Sequence, residues 1–404
     1  MIDATFDTPE EAAFRREVRQ FIDENLTGEL RRLAHQEASS FAHAATSVEW
    51  HGLLHKRGWV ASGWPKEYGG TGWSPRQRYI FEWEMGAAGA PRIPNIGVRM
   101  VGPVLMKYGT PEQRDYFLQR MLSGEHYWCQ GYSEPGAGSD LAALQLRAVR
   151  DGDHYVLNGS KMWTTFAQYA NWIFLLVRTS TEGKPHRGIS FLVAPLDLPG
   201  ITIRPFISMS GDHDVNQVFF DDVRVPVKYL VGDENQAWAI SKYLLEFERG
   251  VGHPVPAMFV ELAKLRTIAR QECADNGEPL WEDSAFRHRY AGLEIEALAS
   301  FLTEQRLIYS LPVGQNIGDA TASLMKLSWS ETTQKINQLT MDALGKYAAV
   351  DQHKATGPNA TMEDVGPAYA LTPTIHYLND RVLTIAAGSS EIQRNILARV
   401  ALGL

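Results

Sequence analysis

The stretch Gln130-Gly131-Tyr132-Ser133-Glu134-Pro135-Gly136-Ala137-Gly138-Ser139-Asp140 concentrates hydroxyls, carboxylates and glycines in one short run. Two glycines around an alanine allow a backbone to approach a ligand closely, and hydroxyls with main-chain amides can hold anionic oxygens. The run lacks the Gly-Lys-Ser/Thr ending of a P-loop, and it does not join a strand to a helix as a Rossmann glycine loop does. Read alone, it is a turn entering a β region. A second candidate follows at Asn158-Gly159-Ser160-Lys161-Met162-Trp163-Thr164-Thr165. Asn-Gly signals a hairpin turn, and an aromatic face beside threonine hydroxyls could receive a planar cofactor. Read alone, this segment is a β-hairpin with a core tryptophan.

Both segments need a scaffold, and the hydropathy pattern supplies three parts. From Thr8 to about Leu122 the pattern is helical: Phe14, Val18, Phe21 and Ile22 recur at helix spacing. Thr8-Pro9-Glu10-Glu11 and Thr110-Pro111-Glu112-Gln113 read as capping boxes with proline at the first helical position. Near Tyr127 the texture changes. His154–Leu157, Trp172–Val177, Ile189–Val193, Ile201–Ile203 and Val218–Phe220 read as strands, punctuated by Gly, Asp and Pro. No helical pattern separates them, so an antiparallel sheet or small barrel is expected and βαβ units are not. After about Gly232 amphipathic helices return over Trp238–Arg249, Pro256–Gln271, Arg287–Tyr309, Ala320–Leu344 and Ser389–Ala401, which together read as a bundle. The expected class is α+β multidomain: an N-terminal helical domain over 1–126, a central antiparallel β domain over 127–233 and a C-terminal four-helix bundle over 234–404.

Bulk properties narrow the function. The 404 residues exceed the usual size of a single core. A net charge of −8 argues against a broad basic face for nucleic acid. Cys129 and Cys273 form neither a disulfide framework nor a metal-ligand spacing, so no metal is expected and a reducing, cytoplasmic setting fits. No apolar run approaches the roughly 18–20 residues needed to span a bilayer, and the start of the chain has no signal-peptide pattern.

Taken together, the two candidate segments and four further motifs resemble the acyl-CoA dehydrogenase family along nearly the whole chain. The further motifs are Trp64-Pro65 with Glu67-Tyr68-Gly69-Gly70, Tyr108–Gln113, Phe220-Asp221-Asp222-Val223-Arg224-Val225-Pro226 and Gly388-Ser389-Ser390-Glu391-Ile392-Gln393-Arg394. The resemblance implies FAD held between the β domain and the bundle, with a neighbouring subunit contributing. It implies FAD-dependent α,β-dehydrogenation of an acyl-CoA thioester to the trans-2-enoyl-CoA, with electrons passed to an electron-transferring flavoprotein. By carry-over, Gln130, Tyr132, Ser133, Gly138, Ser139, Trp163, Thr165, Ser389 and Glu391 face the cofactor. Glu391 stands where the family often has glutamine, and a carboxylate cannot donate as an amide does. Ser139 and Gly388 also fall on the substrate side.

In many family members the base that takes the α-proton precedes the C-terminal Gly-Thr/Ser. Here that position is Ala387, whose side chain cannot serve, although its backbone N–H remains a donor to the thioester carbonyl. Some relatives, including steroid-directed ones, place the base in a Glu-Arg pair on an earlier helix, and Glu248-Arg249 matches that pair. Glu246 and Glu248 are two apart and point to nearly opposite sides of a helix. The resemblance therefore assigns Glu248 as base, with Arg249 and Glu246 as substrate-side candidates. His253 and Pro254 follow that helix without a role.

Two departures concern the cofactor's diphosphate. Cys273 occupies the position of a family arginine, and Asp342 falls in the turn where the family has glutamine. A carboxylate there is unfavourable unless paired or turned away, and Arg266 or Arg270 are the expected substitutes for the arginine. Such departures resemble a bacterial branch acting on dicarboxylic, alicyclic or steroid-derived CoA esters. They leave the assembly as a homotetramer or an α2β2 heterotetramer with a paralogue. The alternatives on the same fold are a flavin oxidase or monooxygenase, or a non-catalytic subunit.

Overall fold

The computed structural model describes residues 7–37, 44–93, 96–248, 254–310 and 318–404, without the side chains of Glu248 and Asp319. The first part is helical: α1 (Pro9–Asn25), α2 (Gly28–Gln36), α3 (Ala44–Arg57), α4 (Pro75–Ala87), α5 (Gly102–Tyr108) and α6 (Pro111–Ser123). Three of these helices begin with reciprocal capping boxes. Thr8 Oγ1 accepts from Glu11 N at 3.2 Å, and Thr110 Oγ1 accepts from Gln113 N at 3.2 Å. Ser74 Oγ does the same for Gln77 N at 3.2 Å. Each satisfies a backbone donor that the helix itself leaves open. The helical spacing of Val18, Phe21 and Ile22 becomes one buried face of α1, with Phe21 lying 4.9 Å from the Trp59 ring and 5.7 Å from that of Trp50.

The strands are β1 (Trp128–Gly131), β2 (Arg147–Asp151), β3 (His154–Thr165), β4 (Trp172–Arg178), β5 (Ile189–Pro195), β6 (Ile201–Phe206), β7 (Val215–Pro226) and β8 (Leu230–Val231). They form one sheet in the order β6-β7-β3-β2-β4-β5-β8, with β1 beside β4. All neighbours are antiparallel except β1 with β4 and the single Arg147–Arg178 pairing of β2 with β4. β4 and β5 are apolar apart from the terminal Arg178 and the buried Ser190, because both faces are covered. Phe174, Leu176, Phe191 and Val193 join the core of the N-terminal helices, whereas Ile173, Leu175, Val177, Leu192 and Ala194 join a separate core within the sheet. Alternation by two thus welds the sheet to the first helical part.

The expected hairpin at Asn158-Gly159 is corrected. The turn between β2 and β3 lies at Gly152-Asp153, flanked by the Asp151–His154 pair. Asn158-Gly159 sits inside β3 at a register shift against β7. The shift forms because Asn158 engages Asp222 across the strands, donating to its carboxylate at 2.9 Å and accepting from its N–H at 3.0 Å. Gly159, at φ 141°, supplies the backbone freedom that such a bulge needs.

The last part holds α7 (Ala237–Glu248), α8 (Pro254–Gln271), α9 (Ser284–Ser310), α10 (Asp319–Leu344), α11 (Pro373–Asn379) and α12 (Ser390–Ala401). The long helices α8, α9 and α12 all pack on α10, giving the expected bundle. Tyr79 and Trp83 of α4 enter its core, where the Tyr79 hydroxyl donates to the buried Glu304 carboxylate at 3.1 Å. The fold is α+β, with helices, a largely antiparallel sheet and a helical bundle in that order.

Phe174 is fully buried, lies parallel to Phe191 at 5.9 Å and meets the Tyr132 ring edge-on at 5.8 Å. Phe174→Ala is expected to lower the unfolding free energy by about 3–5 kcal/mol in urea denaturation, and a loss below about 1 kcal/mol would contradict this packing.

Candidate active site

β1 delivers the glycine loop to one end of the sheet. Gly131 is needed there because a Cβ would collide with the side chains of Leu175 and Ile173 across the β1–β4 pair. Gln130 is half-buried on β1, and the Tyr132 ring is buried against Phe174. The half-buried Ser133 follows. Glu134 and Ala137 then exchange main-chain hydrogen bonds of 2.9 and 3.1 Å, which close a tight turn around Pro135-Gly136. Beyond it Gly138, Ser139 and Asp140 are exposed, and among the described residues none beyond the immediate chain neighbours comes within 4 Å of where a Cβ on Gly136 or Gly138 would stand. Among the described residues, the outer limb of the loop therefore offers amides and the Ser139 hydroxyl without protein partners.

The second segment comes against the first. Met162 N donates to Ser133 O at 2.8 Å, which fixes β3 beside the loop. Lys161 and Thr164 pair with Val218 and Asn216, so Met162 and Trp163 together oppose a single residue of β7. Trp163 takes φ 63° in this bulge and is 52% exposed, with its ring 4.7 Å from Phe206. The reading of a core tryptophan is thereby overturned: the bulge turns the indole out of the sheet. Positive φ at a bulky residue is uncommon and strained, and such strain gathers at functional positions. Thr165 is half-buried at the end of β3, opposite Val215. Gln130, Tyr132, Ser133, Trp163 and Thr165 are thus brought to one end of the sheet, with Gly138 and Ser139 on the open limb.

The C-terminal group stands on another element. Ser389 is the N-cap of α12, its hydroxyl accepting from Ile392 N at 3.4 Å. Ala387 and Gly388 both have positive φ, 54° and 81°. Gln393, fully buried, donates through Nε2 to the carbonyls of Ala387 and Gly388, each at 3.1 Å. Those bonds hold the Ala387 carbonyl inward, and among the described residues the Ala387 N–H has no protein partner. Glu391 is exposed, and a hydrogen bond from the Ser389 hydroxyl holds its carboxyl below the usual range.

The helix expected over Trp238–Arg249 is α7. Glu246 is exposed on it, and Arg99 Nε donates to Phe247 O at 3.1 Å near its end. Glu248 closes α7, and its side chain, together with Arg249 and His253, lies outside the described residues. Pro254 opens α8. The departures are also placed. Asp342 is paired with Arg289 at 2.6 Å and accepts from Gln338 at 3.0 Å. Cys273 is exposed in a small turn. Arg266 pairs with Glu294 at 2.9 Å, and it and Arg270 lie 5.3 and 5.8 Å from the Trp281 ring. Among the described residues no cluster of three or more His, Cys, Asp or Glu could hold a metal ion, and no helix is long and apolar enough to cross a membrane.

Three residues that shape these segments escape sequence reasoning. Glu134 and Lys161 lie inside the quoted motifs, but nothing local announces that they pair over a separation of 27 residues. Gln393 reads as an ordinary polar residue on an amphipathic helix.

Helices, a sheet with an open glycine loop and a helical bundle, in that order, define the acyl-CoA dehydrogenase type of chain. The N-terminal, middle and C-terminal domain models of the acyl-CoA dehydrogenase family match residues 8–125, 129–223 and 238–402. The chain belongs to the acyl-CoA dehydrogenase family and is an oxidoreductase of a flavoprotein family. It is 35% identical over 396 residues to the acyl-CoA dehydrogenase IpdE1 of Mycobacterium tuberculosis, covering 97% of each chain. To FadE26 of the same organism it is 35% identical over 405 residues, covering 98% of each. Among solved structures it is similar to the ChsE4–ChsE5 complex of M. tuberculosis, with a TM-score of 0.82, 36% identity and 99% of each chain covered. It is also similar to the Tcur3481–Tcur3483 steroid ACAD, at 0.82, 31% identity and 98% coverage of each.

Gln393→Leu removes the amide that holds two carbonyls in place before α12. Each buried group left unsatisfied costs about 1–3 kcal/mol, so a stability loss of that order is expected in urea denaturation. An unchanged midpoint would show that these bonds do not shape the helix start.

Proposed function

We propose that the chain is an FAD-dependent acyl-CoA dehydrogenase that converts an acyl-CoA to its trans-2-enoyl-CoA and passes the electrons to an electron-transferring flavoprotein. The observation that carries this reading is the exposed, strained Trp163 beside the Ser133 loop. A large apolar ring turned outward, on the strand that Met162 N ties to Ser133 O, fits a planar cofactor better than it fits a bare protein surface. Ser133, Trp163 and Thr165 would hold the ring system. Gly138, Ser139 and the exposed limb would meet its anionic part, with Gln130 and Tyr132 behind them and Ser389 and Glu391 contributing from α12. FAD, when bound, supplies the acceptor for the hydride that leaves the β carbon.

The remaining chemistry belongs to the chain's own residues. The α-proton of a thioester is weakly acidic, so charge developing on the carbonyl oxygen must be met by a donor as the proton departs. The Ala387 N–H, which has no protein partner among the described residues, is suited to that task. Glu248 takes the α-proton, and as a positioned base it contributes about 10²–10⁴-fold. Exclusion of water raises the affinity of such a carboxylate for a proton into the useful range. Arg249, Glu246 and Gly388 border the thioester. Asp342 does not oppose a diphosphate while Arg289 neutralises it, and Arg266 and Arg270 are the candidates to replace the missing arginine.

The substrate class is a bulky, steroid-derived or alicyclic acyl group. Similarity to a complex called a steroid ACAD supports this choice, as does the absence of a carboxylate at position 387. The neighbouring ChsE4–ChsE5 complex supports assembly with a paralogue. So do Ile295 and Leu302, which are exposed seven residues apart on one side of α9. Two free cysteines suit a cytoplasmic setting.

Stopped-flow bleaching of bound flavin by linear, dicarboxylic and polycyclic acyl-CoAs tests the reading. Wild-type protein is expected to bleach with at least one of them, and Glu248→Gln to bleach about 10²–10⁴-fold more slowly while keeping its flavin. Equal rates for the two proteins would remove Glu248 from the role of base.

A further inference from the structure

Glu134 and Lys161 have no part in the chemistry above, yet both ends of the candidate cofactor loop converge on them. The Glu134 carboxylate collects three donors: the Lys161 ammonium at 2.8 Å, Leu146 N at 2.8 Å and Gln145 N at 2.6 Å. Lys161 Nζ also donates to Tyr132 O at 3.0 Å, immediately before Ser133. The Lys161 side chain is 0% exposed and that of Glu134 8%. One ion pair therefore gathers the start of the loop, its return at 145–146 and the β3 strand just ahead of the Trp163 bulge.

The middle of the loop is the opposite. Pro135, Gly136, Gly138, Ser139 and Asp140 are exposed, and among the described residues none beyond the chain neighbours covers Gly136 or Gly138. Locked ends around an open middle describe a binding loop whose ordering is settled on folding, so a ligand need not supply it. Stability alone is a weak reason for such a pair, because apolar residues of similar volume often serve a buried site equally well or better. Burial pushes the Lys161 ammonium down to about 8, and the neighbouring Glu134 carboxylate pulls against that shift. An apolar pair could neither accept the Gln145 and Leu146 amides nor draw in the Tyr132 carbonyl.

We propose that the buried Glu134–Lys161 pair is a positioning device for the flavin, fixing the distance between the Ser133 loop and Trp163 and so setting affinity for FAD. The proposal rests on the reading of this loop as the flavin site, and the experiment separates the two.

Wild-type protein, Glu134→Gln and the double variant Glu134→Gln/Lys161→Met are purified in their assembled form and stripped of flavin. The double variant keeps side-chain volume and leaves no unpaired charge. FAD is then titrated by fluorescence quenching, and the flavin absorption band and the thermal midpoint of each apoprotein are recorded. The expected result is a rise in FAD Kd of about tenfold or more in both variants, the order of one lost charge-assisted contact. Their bound flavin spectra should shift; the apoprotein midpoint of the double variant should stay within a few degrees of wild type, while Glu134→Gln alone, which leaves the buried ammonium unpaired, should melt earlier. If wild type binds FAD and the folded variants match its affinity and spectrum, the positioning role is overturned and the flavin site stands. If neither variant folds as apoprotein, the pair is structural and the proposal is likewise overturned. If wild type itself takes up no FAD, the flavin reading fails, and this proposal with it.

Discussion

A lysine ammonium with no solvent contact has to be neutralised where it sits, and the chain around it must bend to provide the partner. At Lys161 that partner is Glu134, and the requirement runs outward from the pair. Glu134 can reach the ammonium only if the chain leaves β1 in a tight turn, and it completes its hydrogen bonding only by drawing Gln145 and Leu146 back toward that turn. Lys161 stands where β3 loses register with β7, directly before the bulge that turns Trp163 outward. The open loop and the exposed indole, which are the two features that suit a flavin, thus share one electrostatic anchor.

The anchor is rigid because the sheet beneath it has no free face at β4 and β5. Alternate residues of these strands feed two different cores, so a shift of one residue would send each set into the core shaped for the other. Tyr132 couples the loop to the same layer through Phe174. The bundle is joined independently, through Tyr79 and Trp83 of α4. α7 stays with the sheet, since its Ala237, Ile240 and Leu244 are buried in the same core as Tyr132 and Phe174, whereas α12 packs on α10 of the bundle.

Much of the fold is legible in the sequence where the signal is local. The Thr8 and Thr110 capping boxes need only residues three apart, and β4 and β5 announce themselves as apolar runs between turn residues. β2 does not, because Ala148 is its only buried residue, and β1 is four residues long and pairs in parallel with a distant strand. Asn158-Gly159 carries a true turn signal, but Asp222, arriving from β7, uses the asparagine to build a bulge instead. Trp163 reads as core because tryptophans in strands are commonly buried, and its positive φ has no sequence signature. The glycine loop and the Ser389 cap are visible as motifs. The ion pair that supports the loop, and Gln393 behind Ala387, depend on contacts that only the folded chain creates.

The most direct test of α,β-dehydrogenation follows the substrate and not the flavin. An acyl-CoA deuterated at the α and β carbons, turned over with an artificial electron acceptor, should yield a product that has lost one deuterium from each position, as read by mass spectrometry. Acyl-CoA of every class tested returning with all its label, while the protein holds its flavin, would contradict the assignment.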